Sequence, residues 1–563
     1  MLHRLERHPV EFTQRTRAIE LDVAALREGV NEFEDFVAVR LGGRLRVYDR
    51  VCDHNGGRLI SRSGEMKCPL HGWTFDPVAG RYTNVECAKV PLVDEALASG
   101  RATLSFDLGR RSRVLNDFRQ AHEVSVRFLN HACLVVTTPS CKFALDPWIV
   151  GPAFCTGWSL AAPSPADSFD ELNACDFIYV SHNHPDHLHP QTLARIDKAI
   201  PILTPDFPSG STTTYLEELG FERIVALDFT DQAVDAEAEF ALSILKSGDF
   251  RDDSGLLVQS GRFSALFSVD SNYIDFFRFP QGLTLLCSSF AGGATGFPLC
   301  FETYDEAEKT RILARNRNAV KATNNLMLSL DRPKYFLPYA GFFSEAAARD
   351  SYVRARNEKN RVADYQGICN RNGATLLNVR EEDEYGFCGD ELVARSKAAA
   401  GPIADLSPDD YVRAQKDAFS TFDRAYVAQY FENSGFSGDL HLILSLTDDD
   451  FRECDERFSV SFSAGAAPEV RFDEPVPDLA ALHVRLGRNV KHIKVRRDAF
   501  LRVIGERLPW EDMSIGFQCR IDRVPNVYNS AFWYHFTNVY VKSGVTRAMA
   551  GCGACETLEQ RVF

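Results

Sequence analysis

At 563 residues the chain is long enough for three to four domains of roughly 150 residues each, which excludes a single small module. Apolar residues at 45% and charged residues at 25% are ordinary globular usage and exclude global disorder. Lys and Arg total 63 against 78 Asp and Glu, and the net charge of −15 repels phosphate backbones and anionic lipid, so neither nucleic acid nor a membrane is expected as a partner.

The start, MLHRLERHPVEF, has no apolar core of signal-peptide length, and no later apolar run spans a bilayer, so a cytoplasmic location is expected. Fifteen cysteines, scattered and odd in number, argue against a disulfide framework and for some thiols acting as cofactor ligands in a reducing compartment. In FVAVRLGGRLRVYD a Gly-Gly pair separates two alternating segments, predicting a hairpin within a small β domain over residues 1–108. The basic stretch GRRSRVLNDFRQAH reads as a linker. Over 122–395, strand runs such as KFALDPW, FIYVSH and FSALFSVD alternate with helical segments such as EAEKTRILARNRNAVKATNNLMLSL, the pattern of an α/β layered domain. A second boundary falls in SKAAAGPIADLSPDD, between Ser396 and Asp410. Residues 405–563 read as α+β, with LHLILSL, RFSVSFS, PEVRF and LHVRLG as strand runs and RRDAFLRVIGERL as a helix. The fold class is therefore α/β multidomain.

Two short motifs carry the chemistry of the first domain. Cys52 and His54 form C-x-H, and Cys68 and His71 form C-x-x-H. Two thiolates and two imidazoles suit a [2Fe–2S] cluster in which two Cys hold one iron and two His the other. A structural zinc site uses the same ligand types, but zinc fingers pair Cys with Cys and His with His. CDHNGGRL and CPLHGWTFDPVAGRY resemble the two halves of a Rieske ferredoxin domain.

Farther on, His182, His184, Asp186 and His187 follow the apolar strand FIYVS directly. In this H-x-H-x-D-H pattern the first two histidines can converge on one metal while Asp186 and His187 reach a second, and so many ionisable groups beside a buried strand are costly without a ligand. The motif resembles the metallo-β-lactamase superfamily, an αββα sandwich. Between His189 and His441 the sequence contains no histidine, so further ligands must be largely oxygen donors; Asp249 and Asp270 are the candidates, Asp270 at a strand end. His131 and His535 are candidates for completing the pocket. A carboxylate-enriched donor set favours a harder, redox-capable metal, so two non-haem irons are expected, with zinc as the alternative.

A one-electron carrier joined to a non-haem metal site points to redox chemistry, because hydrolysis needs no electrons. Electrons would come from an external protein donor, and dioxygen would be the co-substrate. FALDPWIVGPAFCTGW, SSFAGGATGFPLCF, FLPYAGFF and SIGFQCRIDRVPNVYNSAFWYHF resemble the CMP-N-acetylneuraminate monooxygenase family. That resemblance implies an oxidoreductase with a Rieske domain ahead of a metallo-β-lactamase-like domain, hydroxylation of the N-acetyl methyl group of a sugar nucleotide, and a ferredoxin or cytochrome b5-type donor with its reductase. Members usually carry histidine where Asp249 stands. The other readings are a dinuclear zinc hydrolase with an accessory redox domain and a noncatalytic electron-transfer protein or redox sensor.

Smaller features are less specific. SSFAGGATGF is either a backbone cradle for an anion or a tight structural loop. Trp148, Phe154 and Trp158 are pocket or core. The last part of the chain looks somewhat like a sterol-carrier fold, and Cys552 and Cys555 make a single C-x-x-C in what reads as a frayed tail.

Overall fold

The computed structural model describes residues 2–33, 35–53, 59–62, 65–68, 73–84, 87–97, 102–207, 209–247, 252–271, 279–397, 400–463, 465–527 and 529–537. The amino-terminal β unit consists of two four-stranded sheets. In the first, strands Phe36–Leu41 and Arg44–Asp49 pair in register Leu41 to Arg44 across Gly42 and Gly43. Both glycines have positive φ, 57° and 74°, as a two-residue hairpin turn with the twist of its strands demands. The second sheet runs Ile60–Arg62, Glu65–Lys67, Thr74–Asp76, Arg81–Tyr82. Cys52 and Cys68 lie in the core between the sheets, with Val37, Tyr48, Leu59 and Phe75.

This unit does not begin at residue 1 or end at Leu108. Strand Glu6–Pro9 pairs antiparallel with Asp231–Asp235, so the chain starts as the edge of a central sheet. Phe12–Asp22 then pairs with Thr103–Arg113 along an eleven-residue ribbon. The first part of GRRSRVLNDFRQAH, expected as a linker, is thus the end of a strand. Its charges mislead because a two-stranded ribbon leaves much of its surface to solvent, so polar residues are tolerated there.

The central unit is a pair of eight-stranded mixed sheets. Their facing apolar side chains form one core, with Val126, Leu134 and Phe177 from one sheet and Leu242, Val258 and Leu286 from the other. Helices Ser168–Asn173 and Ser211–Glu218 pack on the outside of the first sheet, burying Leu172 and Leu216 against Ile178 and Ile202. Helix Glu306–Asp331 starts at a reciprocal cap, Asp305 accepting from Glu308 N and Glu308 from Asp305 N, and it buries Met327 and Leu328 in the inter-sheet core cluster. The architecture is an αββα sandwich. Strands Lys142–Leu145, Phe177–Tyr179 and Ile202–Pro205 run parallel, which is why their sequences are continuous apolar runs and not alternating ones.

The carboxyl-terminal unit is a five-stranded sheet in the order Glu469–Phe472, Cys454–Phe462, Leu440–Thr447, Asn489–Arg496, Cys519–Val524. LHVRLG, read as a strand, is the end of helix Leu479–Leu486: Asp478 accepts from Ala481 N at 2.7 Å, and Gly487 closes the helix at φ 65°. Two strands have no counterpart among the expected ones, Asn489–Arg496 and Cys519–Val524, where Lys, His, Arg and Asp interrupt the apolar pattern. One face of this sheet packs Ile443 and Val490 against Leu479 and Leu482 of its own helix, and the other joins a larger core. The sheet shares that core with Trp148, Phe154, Trp158, Leu299 and Phe301 of the central unit, and Phe301 bridges Ile521. At this seam the backbones of Gly157 and Gly516 meet so closely that a Cβ on either would strike main-chain oxygen. Among the described residues no helix is long and apolar enough to cross a membrane.

Candidate metal centre

The donors converge at the carboxyl ends of the central strands, where chain reversals expose side chains over a crevice. His182 follows Phe177–Tyr179, Asp146 follows Lys142–Leu145, and Asp270 follows Phe263–Phe267. His131 occupies the hairpin turn after Glu123–Asn130 at φ 41°, and Asp253 immediately precedes Ser254–Ser260.

Three overlapping groups bring their donor atoms within 4.8 Å of one another: His182, His184 and Asp253; His131, Asp186 and His187; and His182, His187 and Asp270. His182 Nε2 lies 2.9 Å from His184 Nδ1 and 3.8 Å from Asp253 Oδ1. Asp186 Oδ2 lies 3.2 Å from His131 Nε2 and 3.3 Å from His187 Nε2, and Asp270 Oδ2 is 3.5 Å from the same His187 nitrogen. His182, Asp186, His187 and His131 are at most 2% exposed.

A second layer of contacts fixes these rings. Asp146, fully buried, accepts from Ser181 N at 2.7 Å and Ser181 Oγ at 2.7 Å, and lies 3.0 Å from His187 Nδ1. That contact puts the proton of a neutral His187 on Nδ1 and turns Nε2 toward the other donors. His184 Nε2 meets Glu511 Oε2 at 3.4 Å, a carboxylate that comes from the carboxyl-terminal unit. Burial disfavours protonated imidazoles, and with His187 and His184 nearby it holds His182 well below its ordinary pKa. Burial works against charge on His184 too, but Glu511, Asp253 and Asp186 lift it to about 9. Burial likewise opposes ionisation of Asp186, yet His187 and His131 hold it well below the usual carboxylate range.

These residues fit a pair of metal ions. Among the described residues, His131 Nδ1, Asp186 Oδ1 and His187 Nε2 are buried without a hydrogen-bond partner, a cost of about 1–3 kcal/mol each that a bound cation removes from the atoms it ligates. Imidazole and carboxylate donors suit iron and zinc alike.

Of the residues expected from sequence, His182, His184, Asp186, His187 and Asp270 come together. Asp249 lies outside the described residues, and the aspartate that meets His182 and His184 is Asp253, from the same GDFRDDSG segment. Its signal was its place at the start of an apolar strand. His131 enters the cluster, whereas His535 stands elsewhere, 2.7 Å from Ser434 O. Asp146 was also missed, although it ends a strand in FALDPW as Asp270 does in FSVD. Nothing local in the sequence marks Glu511.

In the amino-terminal unit Cys52 and Cys68 are each 1% exposed; His54 and His71 lie outside the described residues. Beside Cys52, Tyr82 Oη donates to Asp53 Oδ2 at 2.8 Å, and Lys89, itself buried, pairs with Asp49 at 2.8 Å and Asp53 at 3.3 Å. This network ties the first cysteine loop to the strand after the second. Two inward-facing thiols fit a cluster that takes them as thiolates.

The metal donors open on a cavity of about 450 Å³, a size suited to a small molecule. His184, Asp186 and Asp270 line it together with Trp158, Trp533 and Arg523. The Gly-rich segment adds Ala294 and Thr295 to its wall.

The Rieske [2Fe–2S] domain family matches residues 17–97. The cytidine monophosphate-N-acetylneuraminic acid hydroxylase of Danio rerio is 27% identical over 566 residues, covering 92% of each chain, and that of Macaca mulatta is 26% identical over 569 residues, again 92% of each. Among solved structures, CmlA, a diiron β-hydroxylase from Streptomyces venezuelae, is 14% identical with a TM-score of 0.30, covering 49% of this chain and 55% of that one. The metallo hydrolase Igni18 from Ignicoccus hospitalis is 12% identical with a TM-score of 0.29, covering 45% and 94%. Residues 17–97 thus form a Rieske [2Fe–2S] domain ahead of an αββα sandwich, in a chain similar over 92% of its length to the cytidine monophosphate-N-acetylneuraminic acid hydroxylases.

Proposed function

We propose that this protein is a Rieske-dependent non-haem diiron monooxygenase that hydroxylates a C–H bond of a small molecule with dioxygen, most like the conversion of CMP-N-acetylneuraminate to its N-glycolyl form. The observation that carries the reading is the presence, in one chain, of an electron-carrier domain and a buried His/Asp cluster opening on a ligand-sized cavity. Cys52, His54, Cys68 and His71 would hold the [2Fe–2S] cluster. His182, His184 and Asp253 would hold one iron, His131, Asp186 and His187 the other, and Asp270 faces both groups. Irons bound there and reduced through the cluster supply dioxygen activation, one oxygen atom entering the substrate and the other leaving as water.

The chain's own residues do the rest. Asp146 keeps the His187 proton on Nδ1, and Glu511 engages His184 Nε2 so that its Nδ1 faces His182. Trp158, Phe154 and Trp533 exclude water from the cavity and hold substrate by contact. An external ferredoxin or cytochrome b5-type protein with its reductase delivers the electrons, in the cytoplasm.

Reduced, iron-loaded protein incubated with CMP-N-acetylneuraminate in air is expected to yield product heavier by one oxygen atom. His54→Ala should abolish both the visible Rieske spectrum and turnover while iron stays in the second site. Two bound zincs with turnover in an anaerobic chamber and no reductant would overturn the proposal in favour of a hydrolase.

A further inference from the structure

In an acidic protein, two cations stand face to face beside this cavity, Arg523 lining it and Lys491 buried next to Arg523 and to the lining residue Trp533. Lys491 and Arg523 are directly opposite one another on the antiparallel strands Asn489–Arg496 and Cys519–Val524. Directly opposed residues place their Cβ atoms about 4.5–5.5 Å apart on the same face of a sheet. Here that face is the one that carries Ile493, Val495, Cys519 and Ile521 into the core shared with the central unit. Lys491 is 2% exposed and Arg523 8%.

The two differ in how they are held. Arg523 lines the cavity and is oriented on it: its Nε donates to Asn526 Oδ1 at 3.0 Å, Asn526 Nδ2 donates to Tyr304 Oη at 3.0 Å, and its guanidinium sits 4.6 Å from the Phe301 ring centroid. Among the described residues, Lys491 Nζ has no hydrogen-bond partner and no carboxylate pairs with it. It lies 4.0 Å from the ring centroid of Phe532 and 4.7 Å from that of Trp533, and Trp533 also lines the cavity. Burial, and after it the charge of Arg523, drives the Lys491 pKa well below its ordinary value. A buried amine beside a guanidinium, without a counter-charge, destabilises the fold and serves no packing purpose that Met or Leu would not serve better. An oxyanion is the group that removes both penalties, since it accepts charge-assisted hydrogen bonds from the guanidinium and supplies the missing negative charge to the amine.

We infer that Lys491 and Arg523 form an oxyanion subsite in the wall of the catalytic cavity, which takes a phosphoryl or carboxylate group of the substrate. The inference rests on reading this cavity as the substrate site. It confines the substrate to molecules that carry such a group at one end and the reacting C–H bond at the other. Tyr304, Asn526 and Phe301 are positioning residues for the guanidinium.

The test uses the full-length, iron-loaded protein, with inorganic phosphate and acetate as probes in isothermal titration calorimetry. Wild type is expected to bind phosphate, and Lys491→Met and Arg523→Gln to bind it about tenfold or more weakly, the loss of a charge-assisted contact. An unchanged visible spectrum and iron content in both variants shows that each is folded. Met matches the Lys491 stem in volume, so that variant should also unfold at higher temperature than wild type when no anion is present. If acetate, not phosphate, shows the variant-dependent binding, the group recognised is a carboxylate and the subsite stands. No binding in wild type, or the same binding in all three proteins, overturns the inference, the latter assigning the anion to the metals. Dioxygen uptake is measured separately: its absence alongside variant-dependent anion binding would refute the monooxygenase reading and leave the subsite in place.

Discussion

Asp146 is the residue whose replacement most directly probes how the metal centre is built. It lies at the end of a parallel strand, is fully buried, and meets three donors, Ser181 N, Ser181 Oγ and His187 Nδ1. Asp146→Ala leaves these groups without their acceptor, at about 1–3 kcal/mol for each buried donor. Ser181 Oγ keeps accepting from the Nδ1–H of a His182 that ligates through Nε2, 2.9 Å away, so only its own proton is left without an acceptor. The net cost to folding should therefore be about 3–5 kcal/mol. A freed His187 ring loses its fixed tautomer, and loss of such an outer partner typically weakens metal binding by about 10- to 100-fold. Asp146→Asn, which keeps an acceptor for Ser181 N, should fall between the two proteins. The assay is urea unfolding of the metal-loaded proteins, followed by metal analysis after dialysis against graded chelator. If the alanine variant unfolds within about 0.5 kcal/mol of wild type and retains its iron at the same chelator concentration, Asp146 does not organise the centre and the ligand assignment for His187 fails.

Other outcomes follow from sites away from the metals. His492, 2.9 Å from Ser445 Oγ, is pushed down to about 4, first by burial and then by Lys494 and Arg457. Between that value and about 6.5 the unfolded chain binds the proton and the folded chain does not, so stability falls as pH drops through this window, by about 3 kcal/mol in all. His492→Asn should flatten that part of the stability profile measured by urea unfolding between pH 7 and pH 4; an unchanged slope would refute it. Gly157→Ala places a Cβ against the Gly516 carbonyl at the seam between the central and carboxyl-terminal units. It should cost about 1–3 kcal/mol and alter the fluorescence of Trp158, and a neutral effect on both would show that the seam is not tightly packed.

How much of this protein its sequence determined depends on how local the cause is. The cysteine motifs at 52 and 68, the His/Asp cluster after FIYVS and Asp270 at its strand end were legible because each is set by a few neighbouring residues and a buried strand that delivers them. The hairpin at Gly42–Gly43 was legible for the same reason, since turn chemistry acts within a few residues, and the helix from Glu306 was legible from its own run of helix-forming residues. Pairings between distant segments left no such mark. Strand Glu6–Pro9 joins Asp231–Asp235 through main-chain hydrogen bonds, which any side chain but an interior proline permits, so no motif announces it.

At the centre the same limit hid Asp253. Three aspartates in GDFRDDSG are chemically alike, and it is the register of the strand from Ser254 onward that brings Asp253 to His182. Glu511 reaches His184 and Lys491 stands opposite Arg523 because the carboxyl-terminal sheet packs against the central sandwich and shares its core. Residue type and spacing specified which chemistry the chain carries. Which carboxylates surround the imidazoles, and what walls the cavity in front of them, were decided by non-local packing, in which apolar burial acts without direction and the shape of the contact selects the partners.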